Sequence, residues 1–178
     1  TWQSFGKTTK RCTTALKTSQ TPTNTSKYAE AVKIRLWTIG HSNRPIETFV
    51  ELLKDQKIEV LVDIRSFPTS KVGHFKREEM ERWLPEHGIE YVWMGEELGG
   101  YRRGGYRVHM RTKLFREGIK RLLEIAQQKR ACTMCMEPNP KYCHRRFIST
   151  YLEKRDVEVS HILKKGQTSL LKFGSPTS

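Results

Sequence analysis

The chain has 178 residues and a mass of 20.9 kDa, enough for one domain with a hydrophobic core and a remainder. With 36% hydrophobic and 29% charged residues, and no apolar run near the roughly 20 residues that span a bilayer, the sequence excludes a membrane span and reads as a soluble globular protein. The formal charge is +14, of which residues 34–178 carry +9; a field of that sign favours polyanions such as nucleic acid, nucleotides or phosphorylated metabolites.

Residues 1–33 open with a Thr-rich stretch that holds no acid through Lys27 and shows no sustained apolar period. Lysine dominates its cations and no amphipathic stripe is present, so it reads as a flexible basic extension rather than an organelle presequence. Four cysteines, three of them clustered, do not form the spaced framework of a small secreted domain, and the expected compartment is reducing and cytoplasmic.

From residue 34 short apolar runs alternate with amphipathic stretches. The first run, 34–39, precedes "RPIETFVELLKDQ", where Ile46, Phe49, Leu52 and Leu53 share a helical face and Pro45 suits a helix start. A second run, 59–64, leads to "KREEMERWLPEHG", with Met80, Trp83 and Leu84 on one face before Pro85 and Gly88 stop the helix. The third run is 89–93. It is followed by sixteen residues, "LGGYRRGGYRVHMRTK", without a regular signal and then by the longest helical stripe, Phe115, Ile119, Leu122 and Ala126. The fourth run, 131–136, leads through a proline-rich turn to Phe147, Ile148, Tyr151 and Leu152 on another helix, and the fifth is 157–163. Strands alternating with helices predict a single α/β domain over 34–164. Its mainly parallel five-stranded sheet has helices on both faces, and a C-terminal tail follows from 165.

Such sheets bind ligands beyond the carboxyl ends of their strands, where helix N-termini also point. After the first strand His41 is left at the rim as a proton carrier or phosphate donor. Asp63 and Arg65, two apart on a strand end, lie on one side of the sheet within reach of a common ligand, or pair with each other. The glycine-rich loop offers Arg102, Arg103, Arg107 and Arg111 to phosphate and Tyr101 and Tyr106 to bases.

Cys132, Cys135, Cys143 and His144 have the spacing of a zinc site, but a strand over 131–136 separates Cys132 and Cys135 by about 10 Å on opposite faces. Cys132 is therefore expected in the core. Cys135 and Glu137 remain at the strand end, with Cys143, His144 and Arg145 opening a helix whose dipole and cations stabilise a thiolate. Three readings stand: a Cys143 thiolate with His144 or Glu137 for proton transfer, a zinc or iron site of Cys135, Cys143 and His144 with an open position, or inert thiols in a packed turn.

Taken in order, "TIGHS", "VLVDIRSFP", "ELGG", the basic Gly/Tyr-rich segment and "CMEPNPKYCHR" resemble the family catalogued as domain of unknown function 488, a set of small prokaryotic proteins, over about Ile34 to Leu163. The resemblance maps its cysteine, Glu and Cys-His-Arg segment onto Cys135, Glu137, Cys143, His144 and Arg145; Met136 stands where a small residue is more usual, and the N-terminal extension lies outside the pattern. It implies an α/β fold and an intracellular enzyme or nucleic-acid-linked factor, without naming a reaction. "EVLVDIRS" also looks like the Asp-x-Arg strand of rhodanese-type sulfurtransferases, a likeness of layout alone. The sequence therefore predicts an enzyme with a Cys/His/Asp pocket built around Cys143, His144, Glu137, Asp63 and His41, with Arg65 and Arg145 beside the basic loop to hold a phosphate-bearing or nucleic-acid substrate. A non-catalytic nucleic-acid-binding module and a metal-binding, thiol-redox or sulfur-transfer factor are the alternatives.

Overall fold

The apolar runs show little alternation because their strands are covered on both sides. In the computed structural model, which describes residues 33–170, the chain runs β1 (Arg35–Gly40), α1 (Ile46–Asp55), β2 (Val60–Asp63), α2 (Arg77–Glu86), β3 (Glu90–Trp93), α3 (Gly95–Leu98), α4 (Tyr106–His109), α5 (Lys113–Gln128), β4 (Ala131–Cys135), α6 (Arg145–Glu153), β5 (Glu158–Lys164) and β6 (Gln167–Ser169). The N-terminal extension read from the sequence lies, but for Lys33, outside the described residues. Strand order is β3-β2-β4-β1-β5-β6; the first five strands are parallel and β6 pairs antiparallel with β5.

The sixth strand corrects the expected count of five. "QTS" is too short and polar to give an apolar signal, and it becomes a strand only because a turn through Lys165 and Gly166, at φ 67°, folds it back onto β5.

Side chains divide cleanly between the two faces. Trp37, Ile39, Leu61, Cys132 and Met134 meet Phe49, Leu52 and Leu53 of α1 and Met80, Trp83 and Leu84 of α2. Leu36, Val60, Val62, Ala131 and Val159 meet Phe115, Ile119 and Leu122 of α5 and Ile148 and Leu152 of α6. Each fully buried side chain of this size stabilises the fold by about 2 kcal/mol. Cys132 sits in this core at 0% exposure, as the strand geometry requires, and burial pushes its thiol pKa up.

The helix limits have local causes. Thr112 caps α5 by accepting from the Phe115 N–H, and α1 carries Glu47 in its first turn and Lys54 in its last, matching the helix dipole. Pro85 sits inside the last turn of α2 rather than ending it, and the chain leaves through Gly88 at φ 75°. No described helix is long and apolar enough to cross a membrane.

The glycine-rich segment is not the unstructured loop expected. It closes through α3 and α4, and Tyr106 is buried at 7% exposure with its hydroxyl donating to Leu98 O at 2.8 Å. Gly104 and Gly105, at φ 76° and 87°, provide the left-handed turn that carries the chain into α4.

Candidate functional site

The direction of the connections switches at β4. That strand lies between β1 and β2, whose connections run to helices on one face, whereas its own runs to α6 on the other. Gly40 is the neighbour of Cys135 in the ladder, and a side chain there would strike the Glu137 carbonyl at 2.0 Å, so glycine lets the β4 exit pass close to β1.

Cys135 stands at the exit of β4, and Cys143 and His144 lie at the start of α6 after the turn through Pro138 and Pro140. Their ligating atoms all lie within 4.8 Å of one another. His144 Nδ1 is 3.7 Å from Cys143 Sγ and 3.9 Å from Cys135 Sγ. On its other side, His144 Nε2 is 3.1 Å from the Ile64 carbonyl, which only accepts. That contact puts a proton on Nε2 and turns the Nδ1 lone pair toward the sulfurs. Gly100 roofs the ring: a Cβ there would lie 2.5 Å from Nδ1.

Arg145 completes the cluster at 1% exposure. Its backbone N–H and Nε donate to Cys143 Sγ at 3.5 and 3.4 Å, Nη1 donates to Thr38 Oγ1 at 3.3 Å, and Nη2 to the carbonyls of Glu137 and Pro138. The Thr38 hydroxyl in turn faces His161 Nδ1 at 2.7 Å. Among these partners of the guanidinium, only Cys143 can carry negative charge. Hydrogen bonding from Cys135, together with the positive charge of Arg145, draws the Cys143 pKa well below the ordinary thiol range against the opposing effect of burial. Hydrogen bonding to Cys143 and burial push Cys135 the other way, giving one thiolate beside one thiol.

The other predicted residues separate into those brought here and those that are not. Asp63 and Arg65 pair with each other, at 0% and 5% exposure. Arg65 Nε and Nη2 donate to the carboxylate, at 2.9 and 2.6 Å for the nearest contacts, and Nη1 donates to Phe75 O at 2.9 Å. Tyr91 OH also donates to Asp63 Oδ2 at 2.7 Å. Arg65 therefore has its donors taken, and the expectation that it holds phosphate is corrected to a structural ion pair. His41 is corrected likewise: it is buried at 1% exposure and stacked on Phe75, with Nδ1 on Ser42 O at 2.8 Å and Nε2 on Arg65 Nη1 at 3.2 Å. Tyr106 packs on Phe147 and His144 instead of facing a base. Arg102 staples its own loop through the carbonyls of Gly95, Glu96 and Gly99. Glu137 accepts the Asn139 N–H on its carboxylate at 3.1 Å, capping the turn beside the cluster. Tyr101, Arg103, Arg107 and Arg111 are exposed.

Burial drives the His41 pKa down to about 4, with Arg65 and His74 adding to that fall and the Ser42 carbonyl and Asp63 opposing it. The unfolded chain takes up a proton near pH 6.5 that the folded chain refuses until about pH 4, so this stability is complete above pH 6.5 and declines as pH falls through that window. Between pH 7.5 and 5.0, denaturant unfolding is expected to lose about 2 kcal/mol from His41. His161, lowered to about 4 by burial and Arg145, adds to it. A His41→Gln chain should show a visibly smaller decline; an unchanged decline would assign it to other groups.

The sequence model of the family described as "Domain of unknown function DUF488" matches residues 45–152. No curated protein and no solved structure matches the chain.

Proposed function

The chain belongs to the domain of unknown function DUF488 family, and from the site itself we propose that it is a metal-centred enzyme acting on a phosphate-bearing or nucleic-acid substrate, with Cys135, Cys143 and His144 as the metal ligands. One observation carries this: three donors of the right chemistry converge within 4.8 Å, and the histidine among them is oriented by a backbone carbonyl behind it. A tetrahedral zinc with ordinary bond lengths sets sulfur and nitrogen ligands about 3.6 Å apart. The separations of 3.7 and 3.9 Å are within a small relaxation of that figure. Two sulfurs and one nitrogen suit zinc or iron, and three protein ligands leave a position for water or substrate. A metal so bound would supply a hydroxide at neutral pH or polarise a phosphoryl or carbonyl oxygen.

The chain's own residues support that use. Arg145 donates to the Cys143 sulfur and fixes its orientation, and its charge offsets the cost of a buried thiolate. Pro140 and the Asn139 side chain, which accepts the Lys141 N–H at 3.0 Å, shape the turn that brings Cys143 back to Cys135. The exposed arginines of the 101–111 segment are left for phosphate.

The test is metal content after purification without chelator or oxygen. About one equivalent of zinc or iron is expected, retained in Cys132→Ser and lost in Cys143→Ser, and cobalt loading should give the intense near-ultraviolet absorption of thiolate coordination. A folded wild-type chain that takes up none of the three ions would sink the reading.

A second reading is favoured by Arg145, whose guanidinium is buried against Cys143 and donates to its sulfur. It makes the pair a reactive thiolate with a neighbouring thiol, suited to thiol redox or sulfur transfer. In that case the metal-free chain alkylates rapidly at Cys143 near neutral pH, and Arg145→Met slows the reaction.

A further inference from the structure

The chain holds 33 Lys and Arg against 19 Asp and Glu, but the excess is not spread over it. Residues 40–46, 64–77, 99–116 and 138–146 contain fourteen of these cations and no acid, so the remaining residues carry nineteen of each sign and balance. All four segments follow strands at the carboxyl end of the sheet or close over the Cys135, Cys143 and His144 cluster. Several of their cations serve the fold, as Arg65, Arg102 and Arg145 do. Lys71, Arg103, Arg107, Arg111, Lys141 and Arg146 are exposed. Acids at the same rim are few; of these Glu97 pairs with Arg121 at 3.1 Å and Glu137 caps its turn.

The exposed apolar surface gathers on the same segments. Among the described residues seven large hydrophobic side chains are exposed; Phe67, Tyr101, Val108, Leu114 and Tyr142 lie on these segments, and Met136 just before the last of them. Phe67 and Tyr101 are 65% and 77% exposed with ring centroids 5.7 Å apart, and the Tyr101 N–H donates to Ser66 Oγ at 3.0 Å, which ties the two loops together. Tyr101 follows Gly100, the residue packed on His144 Nδ1, and Tyr142, 73% exposed, precedes Cys143. Exposed aromatic faces and exposed guanidinium groups on the same strand-end segments match the two parts of an unpaired nucleotide, a base to stack and a phosphate to neutralise. A base inside a duplex has no free face to offer.

On the reading of the cluster as a catalytic centre, we infer that its substrate is a single-stranded nucleic acid, held by its phosphates on this basic rim with a base against Phe67 and Tyr101. Fluorescence anisotropy of the metal-loaded chain with labelled oligothymidine and oligouridine of about 12 nucleotides, a length within the usual site range, tests it, with a matching duplex and anionic lipid vesicles as competitors. Single strands should bind at low salt and resist both competitors, and the DNA and RNA arms show which sugar is preferred. Phe67→Ala with Tyr101→Ala should weaken binding by 10-fold or more with metal content unchanged. Arg103→Gln with Arg107→Gln should lower the salt slope by roughly 0.7 for each phosphate contact removed. Absence of binding, indifference to the two aromatics, or a preference for duplex or vesicles overturns the inference. If the chain keeps its metal but binds no oligonucleotide, the substrate assignment alone has failed. If it binds oligonucleotide but takes up no metal, the nucleic-acid surface stands and the metal centre has failed.

Discussion

Asp63→Ala is expected to destabilise the protein by about 3–5 kcal/mol, the cost of removing one partner from a buried ion pair. Asp63 is fully buried and receives the Arg65 backbone N–H at 3.0 Å, the Arg65 guanidinium and the Tyr91 hydroxyl. Truncation leaves a buried cation and a half-buried phenol without their acceptor. Against a total stability of roughly 5–15 kcal/mol for a domain of this kind, the loss takes much of the margin. The consequence for the site is specific: Ile64, between the paired residues, presents the carbonyl that accepts from His144 Nε2. The pair is thus a positioning device for the histidine as well as a structural element. Urea unfolding of Asp63→Ala measures the loss, and the double change Asp63→Leu with Arg65→Met should recover part of it, since an apolar pair leaves no buried charge unmatched. That double variant should still hold metal less tightly if the Ile64 carbonyl has moved. A loss below about 1 kcal/mol in Asp63→Ala would mean the pair is far more hydrated than its burial indicates.

Much of this was legible in the sequence because the elements involved are periodic. The five parallel strands and the helices beginning near residues 46, 77, 113 and 145 follow from apolar spacing and capping residues. The assignment of Cys132 to the core followed from strand geometry alone, and so did the separation of Cys135 from it. What the sequence could not give is which polar groups face each other across the sheet. Asp63 and Arg65 were recognisable as unusual in a strand end, but pairing and ligand binding predict the same two residues, and only the contacts to Tyr91 and Phe75 decide between them. His41 reads as a rim histidine until Phe75, 34 residues later, covers it. Tyr106 and Tyr101 sit in one Gly/Arg-rich segment with the same local signal, yet a turn at Gly104 and Gly105 sends one inward and leaves the other exposed. Phe67 and Gly100 were missed altogether; their only signals were an aromatic after a strand-end arginine and a paired glycine.

Gly100→Ala is expected to weaken metal binding by 10–100-fold or more while the chain still folds, the scale seen when the surroundings of a metal ligand are disturbed. The added Cβ would lie 2.5 Å from His144 Nδ1 and 2.8 Å from Cγ, so the ring must retreat by nearly 1 Å to reach ordinary contact. It has little freedom to do so, since Nε2 is held by the Ile64 carbonyl and the ring packs on Tyr106 at 5.3 Å. Ligand distances in metal sites tolerate about 0.2 Å, far less than this displacement. Overpacking of this kind costs about 1–3 kcal/mol of stability, which a domain of ordinary margin survives. Gly73→Ala, where a Cβ meets nothing within 4 Å, is the matched control and should bind metal as the wild type does. Competition against a chelator of known affinity reads the difference directly. If Gly100→Ala and Gly73→Ala compete equally well, His144 Nδ1 does not face the ion, and the thiolate reading, in which the Arg145 and Cys143 contact needs no metal, takes its place.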